Sequence, residues 1–136
     1  MQIENVGKPV VAVVDDDNSV LESLKDLLES DGYSALVFHS AKAFLDSNAL
    51  PSVCCLISDV RMPSMSGWEL EMHANHERPG LPIILITGHD ETLRHTSSVE
   101  LDGRTRVLFK KPFNGQELLA AVSAALAATP TPLPGG

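Results

Sequence analysis

The chain has 136 residues, enough for one domain that buries roughly two-thirds of its unfolded surface. Ten Lys and Arg against eighteen Asp and Glu leave a net charge of −8, which repels a phosphate backbone and argues against nucleic-acid binding by this chain alone. No apolar run reaches the roughly 20 residues that span a bilayer, and residues 1–8 lack the basic-then-apolar pattern of a secretory leader, so a cytoplasmic location is expected.

Apolar runs and helical patterns alternate along the chain. Val10–Val14 is an unbroken apolar run, mostly β-branched, that predicts a strand buried on both faces. Leu21, Leu24, Leu27 and Leu28 follow at helical spacing, with Ser19 and Glu22 in capping-box positions and Gly32 as the stop. A second strand is expected at residues 35–38, and a short helix capped by Ser40 carries Ala43, Phe44 and Leu45. The third strand is read at residues 53–57, followed by a loop at 58–66 and a helix from about Gly67, with Trp68 packing at its start. Cys54 and Cys55 lie inside that third run. Neighbours on a strand face opposite ways, so they read as small hydrophobes, not as a disulfide or chelating pair.

Residues 81–86 predict the fourth strand, with Pro82 near its start. Residues 90–101 are poorly patterned and occupy the place of a fourth helix, which is expected to be weak. Residues 107–109 predict the fifth strand, and Asn114 with Glu117 introduces a helix bearing Leu118, Leu119, Val122 and Leu126. Residues 129–136, T-P-T-P-L-P-G-G, read as an extended tail or linker. The division expected is therefore an N-terminal extension at 1–8, a domain at 9–128 and the tail at 129–136. No effector domain follows in this sequence, so a stand-alone module or the start of a linker to one is expected.

Strands alternating with helices imply a parallel sheet covered on both faces, whose ligand crevice lies beyond the carboxyl ends of the strands. Four of the five expected strands end in reactive residues: Asp15-Asp16-Asp17, Asp59, Thr87 and, just past the fifth, Lys111. The second ends in Phe38-His39-Ser40 and should lie away from the site. Clustered carboxylates repel one another, and Mg²⁺, which suits one or two carboxylates plus waters and a phosphate oxygen, relieves that. A remaining carboxylate can then attack phosphorus to give an aspartyl phosphate. A phosphoryl group in transfer spreads charge over three oxygens, which the metal, the Lys111 ammonium and the Thr87 hydroxyl can share. Gly88 puts no side chain in the way.

V-V-D-D-D-N at 13–18, I-S-D-V-R-M-P-S-M-S-G at 57–67, I-I-L-I-T-G at 83–88 and K-P-F at 111–113 resemble response-regulator receiver domains of two-component signalling, over about residues 9–128. The resemblance implies an α/β, doubly wound, flavodoxin-like fold: a five-stranded parallel sheet in the order 2-1-3-4-5 with five helices. It implies Asp59 as phospho-acceptor, Asp16 as direct metal carboxylate, Asp15 as a second or water-mediated ligand, and the Arg61 backbone carbonyl as a further ligand to Mg²⁺. Thr87 would be the switch hydroxyl and Lys111 the phosphate-sensing ammonium, joined to Pro112 by a cis bond.

The same resemblance implies a phospho-acceptor switch and not an enzyme. A histidine kinase or phosphotransfer protein would be the donor, and an effector domain or downstream protein the output, with a phosphorylation-dependent homodimer as its assembly. The chain departs from the family in having Leu108 where an aromatic usually stands, and Leu101-Asp102-Gly103-Arg104-Thr105-Arg106 where an Ala-Gly-Ala-like turn is usual. Residues 90–106, with mediocre helix formers at Thr92, Thr96, Ser97, Ser98 and Val99 and only Leu93, Val99 and Leu101 as apolar anchors, are expected to be the least ordered segment and the signalling surface.

A rival reading is a haloacid-dehalogenase-like phosphatase with Asp15 as nucleophile and Asp17 as general acid. It leaves Asp59 without a role, and no Asp follows Lys111 to complete that family's metal ligands. The five histidines, His39, His73, His76, His89 and His95, offer no third ligand at a useful spacing and read as surface residues, with His89 at the rim of the pocket.

Overall fold

The computed structural model describes residues 9–88, 96–101, 104–111 and 113–128. In chain order these form β1 (Val10–Val14), α1 (Asn18–Ser30), β2 (Ser34–Phe38), α2 (Ala41–Asp46), a 3-10 turn (Leu50–Ser52), β3 (Cys55–Asp59), α3 (Gly67–Glu77), β4 (Ile83–Thr87), β5 (Thr96–Leu101), β6 (Arg104–Lys110) and α4 (Gly115–Ala128). One sheet joins all the strands in the order β2-β1-β3-β4-β6-β5. Its pairings are parallel from β2 through β6, and β5 closes the edge antiparallel to β6.

The parallel strands follow the expected order from β2 through β4, with β6 next. The expected five strands and five helices do not hold: the described residues contain six strands and four α-helices. Residues 96–101, assigned to a weak helix, instead form a strand that pairs from Thr96↔Phe109 to Leu101↔Arg104. The local chemistry accounts for this. Thr96 and Val99 are β-branched, Ser97 and Ser98 are poor helix formers, and the backbone of β6 offers an edge with which these residues pair. Asp102-Gly103, the two residues between the paired Leu101 and Arg104, is also a dipeptide that favours tight hairpins. The expectations for residues 1–8 and 129–136, for 90–95, for His89 and His95, and for the bond to Pro112 fall outside the described residues.

β1 is fully apolar because both faces of the sheet are covered. On one face, Leu21, Leu24 and Leu28 of α1 and Leu118, Leu119 and Val122 of α4 pack over Val11, Val13, Ile57, Ile86 and Phe109. On the other, Phe44 of α2 and Leu70 and Ala74 of α3 pack over Ala12, Val14 and Leu56. Each fully buried Leu or Phe contributes about 1.5–3 kcal/mol. Farther along that face Trp68 packs with Val60, Leu85 and Ile83, as expected for a residue at the start of α3.

Local signals explain the helix ends, with one correction. Ser40 caps α2, Ser66 and Glu69 form a reciprocal capping box on α3, and Asn114 Oδ1 accepts the Glu117 amide at the start of α4. Gly32, just past α1, has φ +94°, the left-handed stop that glycine adopts freely. The cap of α1, however, is Asp17 and not Ser19: the Asp17 carboxylate accepts the Ser19 amide at 2.9 Å and the Ser19 hydroxyl at 2.8 Å. A carboxylate outranks a hydroxyl here because it faces the positive end of the helix dipole.

β3 also lies two residues later than expected. A 3-10 turn at Leu50–Ser52 ends two residues short of it, and the ladder to β4 runs on through Ser58↔Leu85 and Asp59↔Ile86. Cys54 therefore precedes the strand and is half-buried, while Cys55 is inside it with its thiol pushed up to about 12 by burial. Both are free thiols.

Candidate functional site

The carboxyl ends of β1, β3 and β4 and the residue after β6 converge on one edge of the sheet. Asp15, the residue after β1, is buried, as are Asp59 at the end of β3 and Thr87 at the end of β4. Asp16 is exposed. Lys111 is held in register by its own amide, which donates to the Thr87 carbonyl at 2.8 Å. β2 lies on the outer edge beyond β1, as expected, although His39 reaches Asn18 Oδ1 at 2.7 Å.

Three carboxylates meet here: Asp15, Asp16 and Asp59 can each offer an oxygen within 4.8 Å of the others. The Lys111 ammonium lies 3.0 Å from Asp15 Oδ2 and 3.5 Å from Asp59 Oδ2. Burial is the main cause that pushes the Asp59 carboxyl above the ordinary range. The Asp15 charge adds to it, and Lys111 and the Arg61 amide pull only partly back. Burial works against the Lys111 ammonium, but Asp15 and Asp59 outweigh it and hold its proton more tightly than usual.

The donor set suits a hard divalent cation. Among the described residues one ammonium faces three carboxylates, so negative charge remains in excess there. Asp15 Oδ1 accepts the Asp17 amide at 2.9 Å, and the fully buried Oδ2 has, among the described residues, the Lys111 ammonium as its one partner. A carboxylate oxygen with one partner keeps a lone pair free for an oxygen-seeking cation. The exposed Asp16 gives such an ion a route from solvent.

The site thus brings together Asp15, Asp16, Asp59 and Lys111, and sets Thr87 one strand from Asp59. Arg61 follows β3 with its side chain exposed, and with Val60, Met62, Pro63, Ser66 and Trp68 it lines an open recess of about 570 Å³. Asp17 stands apart in role. It caps α1, and its Ser19 hydrogen bonds hold its carboxyl below the ordinary range. Gly88 is less informative than expected, because a β-carbon there would make only ordinary contact, 3.6 Å from Lys111 Cδ. Sequence reading missed Ser58, a fully buried hydroxyl that donates to the Asp59 carbonyl oxygen at 3.0 Å. A lone serine in an apolar run carries no signal of its own. His39, His73 and His76 are exposed, and no histidine joins a metal-ligand cluster among the described residues. No helix among them is long and apolar enough to cross a membrane.

Residues 11–123 match the family model of the response regulator receiver domain. The response regulator protein TodT of Pseudomonas putida is 39% identical over 121 residues, covering 89% of this chain and 52% of its own. The transcriptional regulatory protein FixJ of Azorhizobium caulinodans is 38% identical over 116 residues, covering 85% of this chain and 54% of its own. The chain therefore spans about half the length of these curated relatives. A low-resolution structure of the response regulator StyR superposes with a TM-score of 0.74 at 36% identity, over 90% of this chain and 61% of that one.

Proposed function

The chain belongs to the response-regulator receiver domain family, and from that premise we propose that residues 9–128 form a phospho-acceptor switch in which Asp59 is the acceptor. The observation that carries this reading is the buried Asp59 carboxylate flanked by Asp15, Asp16 and Lys111 at the carboxyl edge of a parallel sheet. Asp15 and Asp16, with Asp59 and the Arg61 backbone carbonyl, are the residues that would hold Mg²⁺. When bound, Mg²⁺ supplies positive charge that offsets the carboxylates and the phosphoryl oxygens.

The chain's own residues supply the rest. An Asp59 oxygen attacks phosphorus, the bond from phosphorus to the donor breaks, and the donor leaves with the electron pair. Lys111 gives up its hold on Asp59 to meet a phosphoryl oxygen, and the Thr87 hydroxyl turns to another. The donor is a histidine kinase or phosphotransfer protein, and the output passes to an effector domain or downstream protein, with a phosphorylation-dependent homodimer as the assembly. Catalysis is confined to the domain's own phosphorylation and dephosphorylation, in the cytoplasm.

Acetyl phosphate with Mg²⁺ is expected to label this protein on Asp59, and EDTA to abolish the label. Borohydride trapping followed by mass spectrometry locates it. A label on Asp15 would overturn the reading in favour of the phosphatase. Asp16→Asn should leave the metal-free protein at least as stable as wild type while removing its thermal stabilisation by Mg²⁺, which arises by linkage to the folded state. A variant that still gains as much from Mg²⁺ as wild type rules out Asp16 as the main ligand.

A further inference from the structure

Ser58 is out of character with its surroundings. It lies on β3 in register with Val14 of β1 and Leu85 of β4, and it is fully buried. A hydroxyl gains nothing over Val or Leu in such a place unless its hydrogen bond is needed. That bond goes to the Asp59 carbonyl oxygen, at 3.0 Å.

The same oxygen is approached from α3. Gly67 opens that helix, and a β-carbon built on it would lie 2.4 Å from the Asp59 carbonyl oxygen and 3.0 Å from Val60 Cα. Both neighbours are backbone and cannot swing aside. The glycine is required by close approach and not by an unusual φ. Its amide donates to the Val60 carbonyl at 2.8 Å, and the Val60 amide donates to the Ile86 carbonyl at 2.7 Å. The peptide that follows Asp59 is thus held by a serine hydroxyl, by the bare face of a glycine and by β4.

We infer that Ser58 and Gly67 are positioning residues for phosphorylation, which fix the Asp59 carbonyl and through it the aim of the Asp59 carboxylate. This rests on Asp59 being the acceptor. Neither residue touches the phosphoryl group. A carboxylate hangs from its Cα by two rotatable bonds, so a turn of the adjoining peptide displaces its oxygens relative to Asp15, Asp16 and Lys111. Misplacement of a nucleophile by about 1 Å can cost about 100-fold in rate.

The test is acetyl phosphate labelling of the full chain across donor and Mg²⁺ concentrations, normalised to folded protein by near-ultraviolet circular dichroism. A misaimed nucleophile lowers the maximal rate and leaves the half-saturating concentrations in place, whereas simple destabilisation lowers only the folded fraction. Gly67→Ala is expected to lower the maximal rate by about 10-fold or more, and Ser58→Ala by several-fold. Ser58→Cys keeps the size of the side chain but not its strong donor, so it should do no better than alanine.

Should Gly67→Ala fail to fold, the two serine variants carry the test. Maximal rates within twofold of wild type for all folded variants, or a wild-type rate in Ser58→Cys, would overturn the inference while Asp59 remained the labelled residue. Wild-type protein without label on Asp59 would overturn the acceptor assignment itself.

Discussion

Lys111→Met is expected to slow phosphorylation of Asp59 by about 100- to 1,000-fold, the range found when one preorganised donor to a developing anion is removed. Lys111 is suited to that role because its position is imposed twice, by its amide on the Thr87 carbonyl and by ion pairs to Asp15 and Asp59. Methionine keeps most of the stem and removes only the ammonium. Stability should fall as well, since Asp15 and Asp59 would then face each other without a cation. Breaking a fully buried pair costs about 3–5 kcal/mol. Lys111 keeps 24% of its side-chain surface, so solvent screening reduces this to about 1–3 kcal/mol in metal-free buffer. Mg²⁺ should restore much of it, because the cation takes over the missing charge. Urea denaturation with EDTA and with Mg²⁺ measures both numbers. A variant as stable as wild type without metal would mean that the ammonium does not offset the carboxylates. A labelling rate near wild type would remove Lys111 from the chemistry.

The legibility of these features in the sequence follows the range of the forces behind them. β1 announced itself because burial on both faces leaves an unbroken apolar run, and Ser40 and Asn114 cap helices through bonds that span only three residues. The site was legible for a topological reason: once strands and helices alternate, the strand ends must meet at one edge, and Asp15, Asp59, Thr87 and Lys111 stand at those ends.

What escaped depends on contacts that sequence distance conceals. Residues 96–101 hold only two apolar side chains, Val99 and Leu101, and their strand conformation comes from the edge that β6 offers. Gly67 could not be linked to Asp59 without its close approach to the Asp59 carbonyl, and Ser58, although the neighbour of Asp59, reads in the sequence as one more residue of a buried run.

Asp59→Asn should abolish labelling and, in metal-free buffer, make the protein more stable at neutral pH. The reason is the raised Asp59 carboxyl. Burial and the Asp15 charge outweigh the help from Lys111 and the Arg61 amide, so the folded protein holds the Asp59 proton more tightly than the unfolded chain, where the carboxyl titrates near 3.8. A group whose folded value lies above its unfolded value binds more protons in the native state, and stability then falls as pH rises. The contribution of Asp59 is therefore most favourable at and below pH 3.8, declines as pH rises from there through its elevated folded value, and is constant and unfavourable above it. Asparagine cannot ionise, so that decline disappears in the variant. The stability difference, variant minus wild type, should grow as pH rises through the window and then level off. Mg²⁺ should reverse the order, because the variant lacks one of the three carboxylates that could hold the ion and so gains less from it than wild type. Denaturation curves from pH 4 to 7 in EDTA, repeated with Mg²⁺, test each step. A variant less stable than wild type at pH 7 without metal would show that Lys111 and the Arg61 amide, not burial and Asp15, dominate the surroundings of Asp59.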